Sequence, residues 1–243
     1  MRVIDLSRTI QPGMPVFPGS PRVEFRQLAS IAEHGFAETG FRMVSHTGTH
    51  VDAPAHLVPG GLGLPGLAPE TWAGPGCVAD VRGLERINQE HLEPYIVSGA
   101  EWLLLRTGWG DRPFDAGYYY NYPGLESAAA QWLAGLGLKG IGLDTPSPDV
   151  IDNLPKYNDV DEVKYELWDE SNYNSNDQMQ AESNDETLLA HRALFAAGMV
   201  VVENLCNLAA LPGSGFVFVC APLPLASADG APCRCLALVP NPL

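Results

Sequence analysis

Residues 45–56 have the sequence SHTGTHVDAPAH, which contains three of the six histidines of the chain and one aspartate. A packed core would have to hydrogen-bond every imidazole that it buried, and a solvated loop gains nothing from such a concentration. Imidazole nitrogens and carboxylate oxygens are ligands that zinc and manganese use in proteins. A metal site is therefore the first hypothesis, and a polar loop satisfied by hydrogen bonds is the alternative.

The spacing within this stretch predicts how its side chains would share one ion. If residues 41–52 form a strand, alternate side chains point to the same face, and His46, His50 and Asp52 lie together. Gly48, between the two histidines on that face, would leave room for the ion. A helix explains the spacing less well, because Pro54 follows soon afterwards and Thr and Val favour extended structure.

A second ion would need ligands from elsewhere in the chain. Asp52 has two carboxylate oxygens and could bridge two ions about 3.5–4 Å apart, as in many hydrolases. His191 lies in a predicted helix, and Glu203 ends an apolar run in which an unpaired carboxylate is costly to bury. Each also has an ordinary explanation, since His191 could be a core or surface histidine and Glu203 the partner of a Lys or Arg. His56 follows Pro54, leaves the strand alternation and is a candidate proton carrier.

Short apolar runs separated by Pro and Gly predict the strands that must position these residues. These runs cover residues 2–7, 23–29, 40–52, 76–83, 101–108, 139–149, 198–205, 215–225 and 233–240. Helices are predicted at 126–135 and 186–197, ending at Gly135 and Gly198. Because helices are set between strands, the pattern indicates an α/β protein, and no linker divides residues 1–243 into more than one domain.

Composition excludes several classes of function. No apolar run approaches the ~18 residues of a membrane span, and no secretion signal is predicted at the N-terminus. A net charge of −15 argues against a nucleic-acid partner, which would require clustered Lys and Arg. Five cysteines without a C-x-x-C pair are expected to be reduced thiols in a cytoplasmic protein.

Most of the negative charge belongs to one segment. Residues 149–186 contain twelve Asp or Glu and two Lys, and no glycine. The composition is typical of a solvated surface insertion at about 150–186 without a catalytic role. The alternative is a partly ordered flap beside a substrate pocket, held by Tyr157, Tyr165, Trp168 and Tyr173.

Four stretches together resemble a known family. The pattern His-x-Gly-Thr-His-x-Asp-x-Pro-x-His at 46–56 is similar to the signature of the cyclase-like metal-dependent hydrolases, the family of bacterial kynurenine formamidase and isatin hydrolase. GIGLDTPSPD at 140–149, LLAHRALFAAGMVVVENLCNL at 188–208 and IDLSRTIQPGMPVFPG at 4–19 also resemble this family. The resemblance extends over nearly the whole chain and departs from the family at about 150–186.

The resemblance implies a fold, a set of ligands and a state of assembly. The implied fold is α/β, with a β-barrel-like core of mixed strands and flanking helices, assembled as a homodimer or tetramer. Two Zn²⁺ ions are implied, with Mn²⁺ as the alternative. His46, His50 and Asp52 would hold the first ion, and Asp52, His191 and Glu203 the second. His56 would be the catalytic acid/base, and Phe17 stands where kynurenine formamidases tend to carry a tryptophan that lines an aromatic pocket.

The implied activity is hydrolysis of a C–N bond in a small amide. The first hypothesis is an arylformamidase that converts N-formylkynurenine to kynurenine and formate. A ring-opening hydrolase of an isatin-like lactam or a lactone, or a cyclase-type enzyme, would need the same site. A metal-binding protein without turnover is the hypothesis from a different class, and its expected mark, loss of His56, is not seen.

Overall fold

The structure is a computed structural model that describes residues 1–151 and 187–241. The insertion expected at about 150–186 lies outside the described residues, apart from its first two positions. The strands are β1 (Arg2–Asp5), β2 (Glu24–Ala29), β3 (Glu38–Arg42), β4 (His50–Asp52), β5 (Ala73–Asp80), β6 (Arg86–Ile87), β7 (Trp102–Arg106), β8 (Gly124–Leu125), β9 (Gly140–Leu143), β10 (Val200–Glu203), β11 (Ser214–Pro222) and β12 (Gly230–Val239). The helices are α1 (Ile31–His34), α2 (Gln89–Leu92), α3 (Ser127–Ala134) and α4 (Leu189–Ala196).

Seven strands form a closed barrel. Their order is β12-β11-β5-β7-β9-β10-β4, and β4 pairs again with β12 to close the ring. Strands β5, β7, β9 and β10 are mutually parallel, and the remaining pairings in the ring are antiparallel. Strand β1 pairs with the C-terminal part of β12, from Leu236 to Val239. Strands β2–β3 and β6–β8 form separate two-stranded sheets. The predicted α/β fold with a mixed, barrel-like core is confirmed.

Apolar side chains pack on both faces of the barrel wall. One cluster fills the interior and includes Trp102 and Phe218, whose ring centroids are 5.0 Å apart. A second cluster joins the outer face of the parallel strands to α3 and α4, with Leu133 and Leu194 among its buried members. Helix α4 is therefore fixed against the outside of the barrel, and this outer face carries the candidate site.

The prediction of one continuous strand over 41–52 is wrong. Strand β3 ends at Arg42 and β4 begins only at His50. Between them the chain bends, with the Thr47 hydroxyl donating to the Val44 carbonyl, and Gly48 adopts a left-handed φ of 63° that a strand does not contain. Of the three residues predicted to share a strand face, only His50 and Asp52 lie on one strand. His46 lies in the bend.

The two predicted helices are confirmed as α3 and α4. Gly198 has a φ of 76° immediately after the last turn of α4, as expected for a glycine that ends a helix. Helices α1 and α2 and strands β6 and β8 were not predicted, because two to four residues give too little periodicity to recognise. In the part of the chain that the structure describes, no helix is long and apolar enough to cross a membrane.

Candidate metal centre

Three polar side chains meet on the outer face of the barrel where β4 pairs with β10. Glu203 is opposite His50 in the antiparallel register. Val51 and Val202 belong to the interior cluster, so the alternation of the strands turns His50, Asp52 and Glu203 outward. These three residues are only 2%, 2% and 6% exposed, respectively. Burying two carboxylates so completely requires positive charge beside them.

His46 reaches the same place from the bend that precedes β4. Its Nδ1 lies 2.7 Å from Asp52 Oδ1. The bend brings the imidazole against the first residue of β12, Gly230, where an added Cβ would lie 2.9 Å from His46 Cε1 and 2.8 Å from the Val51 carbonyl oxygen. Glycine at 230 is therefore a condition for the position of His46.

His191 comes from the first turn of α4. Its Nε2 lies 3.2 Å from Glu203 Oε1 and 3.6 Å from Asp52 Oδ2. The helix begins after Leu188, whose side chain does not cap it. Asp149 from the segment after β9 takes this role, because its carboxylate accepts the backbone N–H groups of Ala190 and His191 at 2.7 and 3.1 Å.

The hydrogen bonds of two histidines decide which ring nitrogen faces the carboxylates. His50 Nδ1 donates to the Gly48 carbonyl at 3.0 Å, and His191 Nδ1 donates to Asp149 Oδ2 at 2.7 Å. Both Nε2 atoms are consequently turned towards Asp52 and Glu203. Each is buried without a hydrogen-bond partner among the described residues.

These two orphaned nitrogens are the test of whether a metal fits. His50 Nε2 lies 3.2 Å from Asp52 Oδ1 and 3.3 Å from Glu203 Oε2. A neutral Nε2 directs a lone pair at anionic oxygens, which is repulsive unless a cation lies between them. Imidazole nitrogens held by second hydrogen bonds and directed at carboxylates are the usual donor set of a zinc or manganese site.

The pKa values of the three histidines in this cluster are raised above their ordinary values. Burial opposes a charge on His46, but the carboxylates of Asp52 and Asp229 outweigh it and raise the pKa of His46 to about 10. The pKa values of His50 and His191 are also raised, because neighbouring carboxylates outweigh the effect of burial. The carboxylates thus favour positive charge at the positions of these three histidines.

The pKa values of Asp52 and Glu203 are shifted in opposite directions. Burial favours the neutral form of Asp52, but the charges of His46 and His50 outweigh burial and hold its pKa well below the ordinary value. Burial and the negative charge of Asp52 both raise the pKa of Glu203. Asp52 is therefore the principal anion of the cluster.

The oxygens of Asp52 face different partners. Oδ1 lies next to His46 and His50, whereas Oδ2 lies next to His191. The structure thus brings together two overlapping groups of potential ligands, His46–His50–Asp52 and Asp52–His191–Glu203, whose donor atoms lie within 4.8 Å of one another in each group. This division of oxygens is the geometry that a bridging carboxylate needs.

His56 lies beside the cluster, in the short 3-10 turn Pro54–His56. Its ring centroid is 4.2 Å from that of His46, and its Nδ1 is 2.8 Å from Asp229 Oδ2. The same oxygen is 3.0 Å from His46 Nε2. Hydrogen bonds to the two histidines hold the pKa of the Asp229 carboxyl well below its usual range. His56 is adjacent to the candidate ligands but has its own carboxylate partner.

An open cavity of about 250 Å³ leads to these residues. Its lining includes the ionisable residues His46, His50, Asp52, His56, His191 and Glu203, and the apolar or aromatic residues Phe17, Tyr119, Ile151 and Leu188. Phe17 packs edge-to-face on Tyr119 with ring centroids 5.8 Å apart. Every predicted site residue therefore borders one cavity, and the apolar and aromatic part of its lining is called the aromatic wall.

The chain was compared with known proteins. The Cyclase family model matches residues 4–150, which is more than half of the chain and includes His46, His50, Asp52 and His56. The chain belongs to the Cyclase family. The resemblance found in the motifs is thereby confirmed.

Relatives of this Cyclase family member cover nearly its whole length. Kynurenine formamidase of Bacillus cereus strain ATCC 14579 is 29% identical over 232 residues, which are 95% of this chain and 94% of the relative. Kynurenine formamidase of Salinibacter ruber is 29% identical over 237 residues, with 96% of each chain covered. The structure of isatin hydrolase A from Labrenzia aggregata bound to benzyl benzoate superimposes with a TM-score of 0.76 at 25% identity, covering 99% of this chain and 94% of that one.

Sequence reasoning missed two aspartates of the site. Asp149 is separated from His191 by 41 positions that include the acidic segment, so no local spacing connects them. Asp229 precedes Gly230 in an Asp-Gly pair, which ordinarily predicts only a turn between two strands. Both become recognisable only when the barrel brings β12 and the end of β9 beside the histidines.

Proposed function

We propose that this protein is a metal-dependent hydrolase that cleaves the C–N bond of a small amide, and specifically an arylformamidase acting on an N-formyl aromatic amine such as N-formylkynurenine. The observation that carries this proposal is the pair of orphaned Nε2 atoms, on His50 and His191, directed at two buried carboxylates beside an open cavity. The similarity to the kynurenine formamidases of Bacillus cereus and Salinibacter ruber supports the choice of substrate.

The donor set supports one or two divalent ions. His46, His50 and Asp52 would hold the first ion, and Asp52, His191 and Glu203 the second. Mixed imidazole and carboxylate ligands suit Zn²⁺, and Mn²⁺ is the alternative. A bound divalent ion supplies Lewis acidity towards the carbonyl oxygen and makes water a nucleophile at neutral pH.

His56 is proposed to move the proton. Nδ1 of His56 is engaged by Asp229, so Nε2 is the nitrogen that can exchange a proton with a substrate in the cavity. Amide hydrolysis needs a base that removes a proton from water and an acid that delivers one to the leaving nitrogen. A single imidazole can perform both steps in turn, because its ordinary pKa of about 6.5 is close to neutrality.

The aromatic wall of the cavity is proposed to bind the aromatic part of the substrate. Phe17 and Tyr119 present ring surfaces to the cavity, with Ile151 and Leu188 beside them. An aryl ring packed there would direct its formamide group towards His56 and the metal ligands. Aromatic contacts of this kind contribute about 0.5–1.5 kcal/mol beyond the burial of area.

A ring-opening hydrolase of an isatin-like lactam is the second candidate. The superposition on isatin hydrolase A favours it, because that likeness covers almost the whole of both chains. A lactam of an aniline presents the same aromatic ring and the same scissile C–N bond, so the cavity described above suits both substrates.

We also propose that the enzyme is a homo-oligomer, a dimer or a tetramer, and works in the cytoplasm. Phe25, Leu28 and Phe41 of the β2–β3 sheet are 42%, 53% and 61% exposed, and burial of such side chains against a second copy would be favourable. Each of the five cysteines is a free thiol, which supports a reducing compartment. Light scattering coupled to size-exclusion chromatography gives the assembly state directly.

A hydrolysis screen tests the proposed activity. Metal-free protein is loaded with Zn²⁺ or Mn²⁺ and assayed with N-formylkynurenine, isatin and simple lactones. We expect metal-dependent release of formate from N-formylkynurenine as the largest kcat/KM, abolished by a chelator and restored by the ion. Faster opening of isatin would support the second candidate, and no metal-dependent turnover of any of these substrates would contradict both.

A further inference from the structure

Asp229 joins two histidines that have different proposed roles. Its Oδ2 lies 3.0 Å from His46 Nε2 and 2.8 Å from His56 Nδ1. A carboxylate only accepts hydrogen bonds, so His46 Nε2 and His56 Nδ1 must each carry a proton. The other nitrogen of His46, Nδ1, faces Asp52. The other nitrogen of His56, Nε2, is not bonded to Asp229.

The surroundings hold Asp229 in place. Its Oδ1 accepts the Ser45 hydroxyl at 3.2 Å, and its backbone carbonyl accepts the Ala53 N–H at 2.8 Å. The next residue, Gly230, contacts Val51 and His46 so closely that a side chain would not fit. The backbone of Asp229 is therefore tied to Ala53, and its carboxylate cannot rotate away without breaking its bonds to Ser45, His46 and His56.

We propose that Asp229 is a positioning residue that fixes His56 in the tautomer with Nδ1 protonated and Nε2 unprotonated. This inference rests on the proposed function, in which Nε2 of His56 takes up and returns the proton. Through its bond to His46, the same carboxylate also keeps the imidazole of His56 beside the metal ligands, at a ring separation of 4.2 Å. Without Asp229, both the tautomer and the direction of the ring would be free to change.

The rival explanation is that Asp229 is itself a metal ligand. His46, His56 and Asp229 have donor atoms within 4.8 Å of one another and could hold an ion among them. In that case a ring nitrogen of His56 would coordinate the ion and could not carry a proton. The two explanations differ in metal content and in the state of His56, and both quantities can be measured.

The kinetic test uses Asp229→Ala and the isosteric Asp229→Asn at saturating Zn²⁺. Loss of a carboxylate that orients a histidine costs about 10–100-fold, and we expect this loss in kcat with KM changed less than about threefold. Because Asp229 acts through His56, Asp229→Ala should have little further effect in a His56→Ala background. Asp5→Asn, on β1 in an exposed ion pair with Arg234 of β12, is the matched control.

The direct test is the tautomer of His56 in zinc-loaded protein labelled with ¹⁵N-histidine. Long-range ¹H–¹⁵N correlation spectra should show Nδ1–H in the wild type and in Asp5→Asn, and a mixture or Nε2–H in Asp229→Asn. This readout does not depend on turnover, so the tautomer decides the inference even if an inactive wild type refutes the proposed function. An unchanged tautomer, an additive double variant, or loss of one metal equivalent on Asp229→Asn would overturn the role of Asp229.

Discussion

Replacing Asp149 with alanine should weaken both the fold and the metal centre. Asp149 is 8% exposed, and its carboxylate accepts three hydrogen bonds, from the backbone of Ala190, from the backbone of His191 and from His191 Nδ1. It therefore caps α4 and orients a proposed ligand at the same time. Burial alone would raise the pKa of Asp149, but its bonds to His191 and to the helix N–H groups lower it, so the carboxylate is charged at neutral pH.

The expected loss of stability in Asp149→Ala follows from the hydrogen-bond donors that the missing carboxylate leaves unpaired. Loss of a helix cap costs about 1 kcal/mol, and each buried donor without a partner costs about 1–3 kcal/mol. Water that enters the space of the missing carboxylate would satisfy part of these donors, so we expect a loss of about 2–4 kcal/mol in the free energy of unfolding. In a chain of this length that corresponds to a fall of about 5–15 °C in Tm. Metal affinity should fall about 10–100-fold, because His191 loses the partner that directs its Nε2.

Two measurements and one control separate these effects. Thermal unfolding of the metal-free protein gives the change in stability, and competition with a chelator gives the metal Kd. Asn88→Ala removes the side chain that caps α2, which does not contact the site, and should lower stability by about 1 kcal/mol without changing metal affinity. If Asp149→Ala lost stability but bound metal as tightly as the wild type, the orienting role of Asp149 would be refuted.

The remaining predictions concern the proton carrier, the protons of the site and the aromatic wall. His56→Ala should retain its metal while kcat falls about 10²–10⁴-fold, and a parallel loss of metal, detected by elemental analysis, would make His56 a ligand instead. Because carboxylates raise the pKa of His46 to about 10, a metal must displace its proton at neutral pH. Apparent metal affinity should therefore increase as the pH rises towards that value, and calorimetry in buffers of different ionisation enthalpy should detect proton release; binding without proton release would contradict this. Phe17→Ala should raise KM for an aryl formamide about 2–10-fold with a smaller effect on kcat, whereas Phe17→Trp should preserve KM; steady-state kinetics that show no change for Phe17→Ala would remove Phe17 from the aromatic wall.

The spacing of polar residues along strands was predictable where a strand exists. His50 and Asp52 share a face because β4 alternates, and Glu203 ends an apolar strand as its position suggested. His46 reaches the site for another reason, since Gly48 bends the chain and the ring enters from the bend. The residue types predicted which side chains cluster, although the predicted backbone conformation of the segment was wrong.

Contacts between distant segments were not predictable from local pattern. The register of β4 against β10 and β12 depends on closure of the barrel, which no single stretch encodes. Asp149 and Asp229 are ordinary loop residues in the sequence, and they acquire a role only through α4 and through the bend before β4. Patterns of period two predict which residues face outward, but they do not predict which strands become neighbours.

The metal content of zinc-reconstituted protein is the measurement that tests the central claim most directly. Wild-type protein and Asp52→Ala are loaded with Zn²⁺, freed of excess ion by gel filtration and analysed for zinc per chain. We expect the wild type to retain at least one and up to two equivalents, and Asp52→Ala to lose the ion or ions, because both groups of ligands include Asp52. A folded wild type that retains no zinc, or an Asp52→Ala variant with the full wild-type zinc content, would contradict the account.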